Sequence, residues 1–552
     1  MFFLLILCFL TSITGILTNN ITVRTKQGNV IGYRANDGNY FEFYDIPYAG
    51  SVSGKARFKG PSDPPKFNGD FKAVDRNILC AQPSPNGPVG VEDCLTLSVF
   101  TNDVTTKKPI FLWLHGEEYY NTKDMPRYSY KHLVEANSVF ISLNYRLSIF
   151  GFLCFRIAEA PGNAGLKDVL KALEWIKNNA VNFGGDPDNV VLMGHGSGAA
   201  MVDLITLSPL SKNLVHKAIT ISGSGIASWA VAFDPENYAR RFADRFGYPP
   251  SSNKQLAENF MAADANFLRF ALNGFTFHNN SVWFAPCVED KSLPGSVLTD
   301  APINILKSGE YQKIPYISIY VEMEGSMRTE QGNHQQWLEH MQNNFSDFLP
   351  VDLKFKDEKQ RLDKAKEVRE FYFREKAIDV NTFDDFMNYE GDILAKIPVI
   401  RGVKARAVRT DNVYLLKFDL RNDVDDMHGT RHGAILNYIF YLESKPVEER
   451  ARKNFVDRFV AFAMTGTPKG TTDPSDLVWP PFTRNGTKYL QITGQGTRFT
   501  QTPSSHPHNL TLEFWKRNLS RFYVSPEVNS GNMILNVGVI LLLCQAVLRV
   551  VY

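Results

Sequence analysis

A short run of small residues in the middle of the chain has the spacing that serine hydrolases use to expose a nucleophile. The residues Gly194-His195-Gly196-Ser197-Gly198 follow an apolar, β-branched run and precede helix-forming alanines. This pattern predicts a strand, a sharp turn and a helix. In the Gly-x-Ser-x-Gly form of the turn, the central serine hydroxyl stands clear of the sheet. Here the outer glycines are Gly194 and Gly198, so the central position is Gly196, which has no hydroxyl.

The elements around this turn alternate between strands and helices. Residues 165–179 carry apolar side chains at helical spacing, and buried strands are predicted at residues 111–114, 139–144, 190–193 and 218–222. Such alternation predicts an α/β fold with a large, mostly parallel central sheet and helices on both faces. Alternating apolar residues at 21–25 and 28–33 predict an N-terminal antiparallel hairpin.

Further elements are predicted in the second half of the chain, although residues 235–307 follow no clear pattern. Helices are expected within residues 351–376, 399–408 and 450–465, and strands at 413–418 and 489–492. No internal repeat, low-complexity run or linker interrupts the body. We therefore expect one large domain over residues 19–525.

The composition is that of an ordinary globular protein. Apolar residues make up 44% and charged residues 21% of the chain, and the net formal charge is +2. This balance offers no electrostatic basis for binding nucleic acid or an anionic membrane surface. No residues are assigned to a cofactor or a metal.

Both ends of the chain indicate the secretory pathway. Residues 1–18 resemble a cleaved signal peptide. Residues 526–552 are a largely apolar tail with small residues at 529–531, which favours a GPI signal over a transmembrane tail anchor, with a core helix third. Six Asn-x-Ser/Thr sequons agree with a glycoprotein at the outer face of the plasma membrane, or a secreted one: Asn20, Asn279, Asn344, Asn485, Asn509 and Asn518.

The cysteines support the same compartment. Cys80 and Cys94 would close a short loop, and a disulfide between them is predicted in an oxidising environment. Cys154 and Cys287 follow apolar or aromatic residues and are expected to be buried as small apolar side chains. Their spacing leaves open whether they pair.

An ordered series of motifs along nearly the whole chain resembles the type B carboxylesterase/cholinesterase family. The motifs are Glu92-Asp93-Cys94-Leu95, Trp113-Leu114-His115-Gly116, Asn144-Tyr145-Arg146-Leu147, Asn182-Phe183-Gly184-Gly185-Asp186-Pro187 and Trp479-Pro480-Pro481-Phe482. The resemblance implies the α/β-hydrolase fold. It also fixes the register at the turn, because residues 186–190 lead into Gly194 without an insertion or deletion. Ser197 then lies one residue beyond the nucleophile position.

The resemblance implies where the rest of a catalytic triad would lie. Ester hydrolysis by this fold needs a serine, a histidine that activates it and a carboxylate that orients the histidine. Met323-Glu324-Gly325 resembles the acid motif, and Gly429-Thr430-Arg431-His432-Gly433 resembles the histidine motif. Gly196, Glu324 and His432 are therefore the predicted remnant triad positions.

The loop that would bind the oxyanion is altered too. The family usually continues His-Gly with small residues, whereas Gly116 is followed here by Glu117, Glu118 and two tyrosines. Bulky residues would obstruct the backbone approach, and carboxylates would oppose the developing negative charge. Losing one oxyanion donor costs roughly 10²–10³ in rate, and losing the nucleophile of a serine hydrolase costs about 10⁶ in kcat. Ordinary hydrolysis is not expected.

Three functions are compatible with these residues. The first is a catalytically inactive member that binds a protein or ligand at the cell surface, as the resemblance to the neuroligin, neurotactin and gliotactin group suggests. The second is an enzyme with residual or altered activity, using Ser197 or a water held by His432 and Glu117. The third is a carrier of an apolar ligand in a cavity lined by four aromatic residues, Trp113, Tyr119, Tyr120 and Trp229.

Overall fold

The computed structural model describes residues 20–527 apart from eleven short gaps. The gaps are residues 85–86, 117, 123–127, 273–279, 332–333, 422–428, 441–448, 470–477, 485–487, 496–497 and 505–507. The predicted signal peptide, nearly all of the predicted tail, Glu117 and the sequons at Asn279 and Asn485 therefore lie outside the described residues.

One large sheet organises the described part of the chain. Its strands are β1 (Asn20–Arg24), β2 (Asn29–Arg34), β3 (Phe41–Pro47), β4 (Phe71–Lys72), β5 (Thr96–Thr101), β6 (Lys108–Leu114), β7 (Val139–Leu143), β8 (Gly185–His195), β9 (Lys217–Ile221), β10 (Tyr316–Val321), β11 (Val413–Arg421), β12 (Tyr489–Gln495) and β13 (Arg498–Ser504). The spatial order is β1-β2-β3-β5-β7-β6-β8-β9-β10-β11-β12-β13, with β4 beside β2. The run from β7 to β12 is parallel, and both outer parts are antiparallel apart from the short parallel pair β2–β4.

Helices fill the connections between the strands. They are α1 (Lys131–Glu135), α2 (Ser148–Phe152), α3 (Ala164–Asn179), α4 (Ser197–Leu207), α5 (Pro235–Arg245), α6 (Asn253–Ala262), α7 (Ala265–Leu272), α8 (Pro302–Ser308), α9 (His334–Asn343), α10 (Glu358–Phe373), α11 (Phe383–Gly391), α12 (Ile397–Ala407), α13 (Leu436–Ile439), α14 (Glu449–Thr465) and α15 (Asn509–Asn518). A 3-10 helix, Glu324–Gln331, follows β10.

Both faces of the sheet are covered, because successive strand residues point to opposite sides. In β6, Ile110 and Leu112 pack into one core with residues of α3, α4 and α12. Phe111 and Trp113 pack into a second core with residues of α1, α13 and α14. The central strands therefore place apolar residues on both faces, as expected for a parallel sheet covered on both sides.

The predicted α/β architecture is confirmed. The hairpin predicted near the N-terminus is the antiparallel pair β1–β2. The pattern at residues 165–179 forms α3, and the late predictions correspond to α10, α12, α14, β11 and β12. Residues 235–307, which were not parsed from the sequence, contain the four helices α5 to α8.

The structure contains two disulfides. Cys80–Cys94 forms as predicted. Cys154 and Cys287 are buried, as expected, and their pairing, which the sequence left open, is a second disulfide. The two cysteines are 133 residues apart in the sequence, so no local pattern predicts that they pair. The fold brings the segment after α2 against the segment before α8.

The sequons within the described residues differ in exposure. Asn20, Asn344 and Asn509 are exposed, whereas Asn518 is half-buried and donates a hydrogen bond from Nδ2 to the carbonyl of Phe514 (2.9 Å). No helix among the described residues is long and apolar enough to cross a membrane.

One buried carboxyl group makes the stability of this fold depend on pH. Asp352 lies beside Ser228 and Arg401 around a small cavity of about 10 Å³, and neither Asp352 Oδ1 nor Ser228 Oγ has a hydrogen-bond partner. Burial raises the pKa of Asp352 from 3.8 to about 7. The unfolded chain releases this proton near pH 4 and the folded protein near pH 7. The contribution of Asp352 therefore lowers the free energy of unfolding as the pH rises from about 4 to about 7.

We expect Asp352→Asn to raise the free energy of unfolding at pH 8 by up to about 4 kcal/mol, since folding raises the pKa of Asp352 from 3.8 to about 7 and each pKa unit corresponds to about 1.4 kcal/mol. Below about pH 3 the variant should match the parent protein, because Asp352 is then protonated in both the folded and the unfolded state. Thermal melts at the two pH values, with the exposed Asp363→Asn as control, measure the difference. An equal effect at both pH values would contradict the assignment.

Candidate functional site

The candidate site begins at the turn between β8 and α4. Gly196 joins them with φ 55° and ψ −120°, a conformation that glycine adopts without the strain of a side chain. Its N–H donates to the carbonyl of Ile221 on the next strand (2.9 Å), and its carbonyl accepts from Ala200 N–H (3.1 Å). The turn is thus fixed on both sides by backbone hydrogen bonds.

The Cβ direction of Gly196 points to His432. A Cβ atom built at this residue would lie 3.8 Å from His432 Nε2 and 3.7 Å from the carbonyl oxygen of Gly116. Both are ordinary van der Waals distances, so the site has room for a small side chain. The residue that faces the imidazole is therefore Gly196, as the register of the motif predicts.

His432 is held by the 3-10 helix that follows β10. Its Nδ1 lies 2.6 Å from Glu324 Oε2, and its backbone N–H donates to Ser326 Oγ (2.8 Å). Glu324 is fully buried, and its second oxygen accepts from the N–H of Val321 (2.9 Å). The carboxylate therefore fixes the orientation of the imidazole, with Nε2 toward Gly196.

A second histidine, which sequence reasoning did not select, lies beside this pair. The ring of His195 is 4.5 Å from that of His432, centroid to centroid. Burial and the neighbouring His432 hold the pKa of His195 well below its usual range, and His195 Nε2 has no hydrogen-bond partner. Burial therefore disfavours the charged form of this imidazole. In the sequence, only its position directly before Gly196 indicated that His195 would lie at the site.

The loop after β6 lies against the turn. A Cβ at Gly116 would come within 2.1 Å of the His195 carbonyl oxygen and 2.3 Å of the Gly198 nitrogen, so this close approach requires glycine. Glu118 (φ 58°) and Tyr119 (φ 63°) follow in the left-handed region. That conformation is uncommon for residues other than glycine.

The carboxylate of Glu118 is paired, contrary to the expectation that it would oppose an oxyanion with an uncompensated charge. Glu118 Oε1 lies 3.2 Å from Arg328 Nη1. Arg328 is buried, and its Nε lies 3.5 Å from Glu390 Oε2. Burial raises the pKa of Glu390 to about 7, opposed by Arg328. Neither Arg328 nor Glu390 was selected from the sequence, because both lie more than 200 residues from Glu118.

The arrangement matches one known family along almost its whole length. The sequence profile of the carboxylesterase family matches residues 19–515. The chain belongs to the carboxylesterase family.

Individual family members cover nearly the whole chain at low identity. Venom carboxylesterase-6 of Apis mellifera is 27% identical over 532 residues, which cover 90% of this chain and 93% of the bee protein. Esterase B1 of Culex pipiens is 27% identical over 546 residues, which cover 92% of this chain and 99% of that esterase. The structure of juvenile hormone esterase from Manduca sexta, with OTFP covalently attached, superposes on this chain with a TM-score of 0.80 at 22% sequence identity. The match covers 90% of this chain and 99% of the esterase chain. This last likeness supports the α/β-hydrolase fold.

The hydroxyl of Ser197 contacts the loop after β6 in this carboxylesterase-family site. Ser197 is the first residue of α4 and is buried, and its Oγ accepts a hydrogen bond from Tyr119 N–H (3.0 Å). The hydroxyl therefore holds the altered loop. This contact argues against the use of Ser197 as a displaced nucleophile.

The four aromatic residues proposed to line a ligand cavity are not brought together. Trp113 lies in the core on the opposite face of the sheet from Tyr119, packed against Phe440. Tyr119 is fully buried, with its ring 6.0 Å from that of Trp229, and Tyr120 donates to the carbonyl of Leu272 (2.7 Å). The cavity lining predicted from the sequence is therefore wrong for Trp113, which is a core residue.

The site of this carboxylesterase-family chain combines an oriented histidine with a glycine at the centre of the turn. The Glu324–His432 pair is oriented as in a triad, and Gly196 stands where the nucleophile would be. Among the described residues, no group of three or more histidine, cysteine or acidic side chains is arranged to hold a metal ion.

We expect Ser197→Ala to destabilise the protein by about 1–2 kcal/mol, because the buried N–H of Tyr119 loses its acceptor. The exposed Ser308→Ala, which also removes a side-chain hydrogen bond, should change stability by less than about 0.5 kcal/mol. Urea titration measures both variants. Equal midpoints for the two would contradict a structural role for Ser197.

Proposed function

We propose that this member of the carboxylesterase family is catalytically inactive and acts by binding, as a glycoprotein at the outer face of the cell. The observation that carries the proposal is Gly196, whose Cβ direction points at His432 Nε2 from 3.8 Å. The base is present, and the hydroxyl that it would activate is absent.

Two features of the site support inactivity. Nucleophilic acyl transfer splits hydrolysis into two steps only if a side chain forms the acyl intermediate, and Ser197 is engaged with Tyr119. The loop at Glu118 and Tyr119 also carries side chains where the family has small residues. These are independent obstacles, one to the attack and one to stabilisation of the oxyanion.

A protein partner is favoured over an apolar ligand. The aromatic side chains that would line a ligand cavity are used in packing, with Trp113 and Tyr119 both buried. The two disulfides agree with an oxidising, extracytoplasmic compartment. The exposed sequon residues Asn20, Asn344 and Asn509 agree with glycosylation there.

Residual hydrolysis is the second candidate, and one observation favours it. The Glu324–His432 hydrogen bond is short and buried, so the pair could activate a water molecule directly. Relatives at 27% identity are named as esterases or carboxylesterases. The two candidates differ in whether the protein turns over an ester at a rate that depends on His432, because direct attack by water forms no covalent adduct.

We expect a fluorophosphonate probe to leave the protein unlabelled, because Gly196 presents no hydroxyl to His432. In Gly196→Ser, the new hydroxyl fits beside Nε2 and should be labelled slowly. Ester turnover should stay at least about 10²-fold below that of an active relative, because the altered loop remains. Gly196→Ala is the matched control. Labelling of the parent protein, or full turnover in Gly196→Ser, would refute the proposed inactivity.

The tether at the cell surface is tested separately. We expect phosphatidylinositol-specific phospholipase C to release the full-length protein from cells into the medium, because residues 529–552 have the composition of a GPI signal. Retention on the membrane after treatment would indicate a transmembrane tail. Complete secretion without treatment would show that the chain has no anchor.

A further inference from the structure

The small cavity beside Asp352 lies against the last described residues of the chain. Asp352 and Ser228 are 8% and 5% exposed. Neither Asp352 Oδ1 nor Ser228 Oγ has a hydrogen-bond partner among the described residues, and both residues line the cavity. A buried polar group without a partner is costly. The structure therefore contains a strained polar site at this position, far from the Glu324–His432 pair in sequence.

The wall of the cavity combines well-packed elements with one surface segment. Ser228 follows β9, Arg401 belongs to α12 and Trp515 belongs to α15. Tyr523 closes the wall from the C-terminal segment, which we define as residues 523–527. Trp515 is buried, whereas the C-terminal segment is half-buried or exposed along its whole length. The segment is therefore the part of the wall that can move with the least loss of packing.

The chain is firmly held just before the C-terminal segment. The ring of Phe522 is buried and lies 5.1 Å from that of Phe355, and its carbonyl accepts from Lys354 N–H (2.9 Å). At the other end, the carbonyl of Glu527 accepts from Arg156 Nη2 (3.2 Å) in an exposed contact. Phe522 is thus a fixed point from which the segment can swing.

Two contacts attach the C-terminal segment at the cavity itself. The N–H of Val524 donates to the backbone carbonyl of Asp352 (2.8 Å). The guanidinium of Arg401 lies over the ring of Tyr523, 4.0 Å from its centroid. The residue that carries the unsatisfied carboxyl group therefore also binds the segment through its backbone.

The groups that face Asp352 leave it as the one that changes charge near neutral pH. Apart from Asp352, the titratable side chains that line the cavity are Arg401 and Tyr523. Burial raises the pKa of Asp352 to about 7, against the opposing effect of Arg401. Burial also raises the pKa of Tyr523, so its hydroxyl stays neutral. Between pH 5.5 and pH 8 the cavity thus gains a negative charge.

We propose that the Asp352 cavity is a pH-dependent attachment site for the C-terminal segment. A neutral carboxyl group keeps the segment on the domain. A charged one favours its release, because water that enters past Tyr523 hydrates the carboxylate. Opening at a chain terminus breaks few buried contacts and needs no change in the sheet. Phe522 serves as the hinge.

The release goes beyond the proposed function, and it holds whether the protein binds a partner or hydrolyses esters. One consequence rests on the membrane tether proposed above. Five released residues add up to about 17 Å of extended chain between the domain and the tail. The phospholipase experiment tests the tether, whereas the experiments below test the release in solution, so the two can fail separately.

Hydrogen-exchange mass spectrometry of the full-length protein tests the release. We compare the protection of a peptide covering residues 519–527 at pH 5.5 and pH 8, with each rate divided by the intrinsic rate at that pH. Protection should fall at least about tenfold at pH 8, because the open form binds the proton of Asp352 more weakly. Asp352→Asn should abolish this fall, and the exposed Asp363→Asn should keep it.

Helix α12 is the internal reference, because Arg401 places it at the same cavity. Its peptides should keep their protection at both pH values. Equal protection of residues 519–527 at the two pH values would overturn the proposal, and so would a fall that persists in Asp352→Asn. A parallel loss of protection in α12 would also overturn it, because the whole region would then be opening.

A thiol in the cavity measures access directly. Ser228→Cys introduces it at a buried wall residue with little change in volume. At pH 8 iodoacetamide should alkylate this thiol at least about fivefold faster than when Asp352→Asn is also present. A closed cavity predicts the reverse, because a nearby carboxylate disfavours the reactive thiolate. Equal or slower labelling in the presence of Asp352 would overturn the proposal.

Discussion

The site depends on one steric constraint, the contact between the backbone at Gly116 and the turn at residues 195–198. Strands β6 and β8 are parallel neighbours, so their carboxyl ends lie side by side. At that edge the chain after β6 passes so close to the turn that a Cβ at Gly116 would overlap the His195 carbonyl oxygen. The loop, the turn and His432 are arranged around this contact, and none of it requires a serine.

The geometry of the acid–histidine pair is similarly independent of the nucleophile. Glu324 is fixed by the N–H of Val321, and His432 by Ser326 and Glu324. These contacts belong to the end of β10 and the 3-10 helix after it. Replacing the central residue of the turn with glycine removes the hydroxyl and also relieves the strain that a side chain would feel there. The orientation of a catalytic base is therefore weak evidence for catalysis when it is considered alone.

Local patterns predicted most of the fold, and contacts between distant residues explain what they missed. The hairpin β1–β2, the strands and helix α3 follow from apolar spacing, which is a property of short segments. The register of Gly196 and the roles of Glu324 and His432 came from motifs. The Cys154–Cys287 disulfide and the Glu118–Arg328 ion pair join residues 133 and 210 positions apart, and nothing in the spacing relates them. Trp113 was wrongly included among the cavity-lining residues. Alternate residues of a strand face opposite sides of the sheet, and β6 is apolar on both sides, so the sequence did not show which side Trp113 faces.

The Cys154–Cys287 bond encloses the turn, α3 and α4 within a covalent ring of the chain. In the loop-entropy account, a ring of this size stabilises a folded protein by about 4–5 kcal/mol, because it restricts the unfolded chain. It has a further consequence wherever proteases are present. A single cut between residues 154 and 287 leaves both pieces bonded to each other. The central part of the sheet and the site can then remain assembled in a nicked molecule.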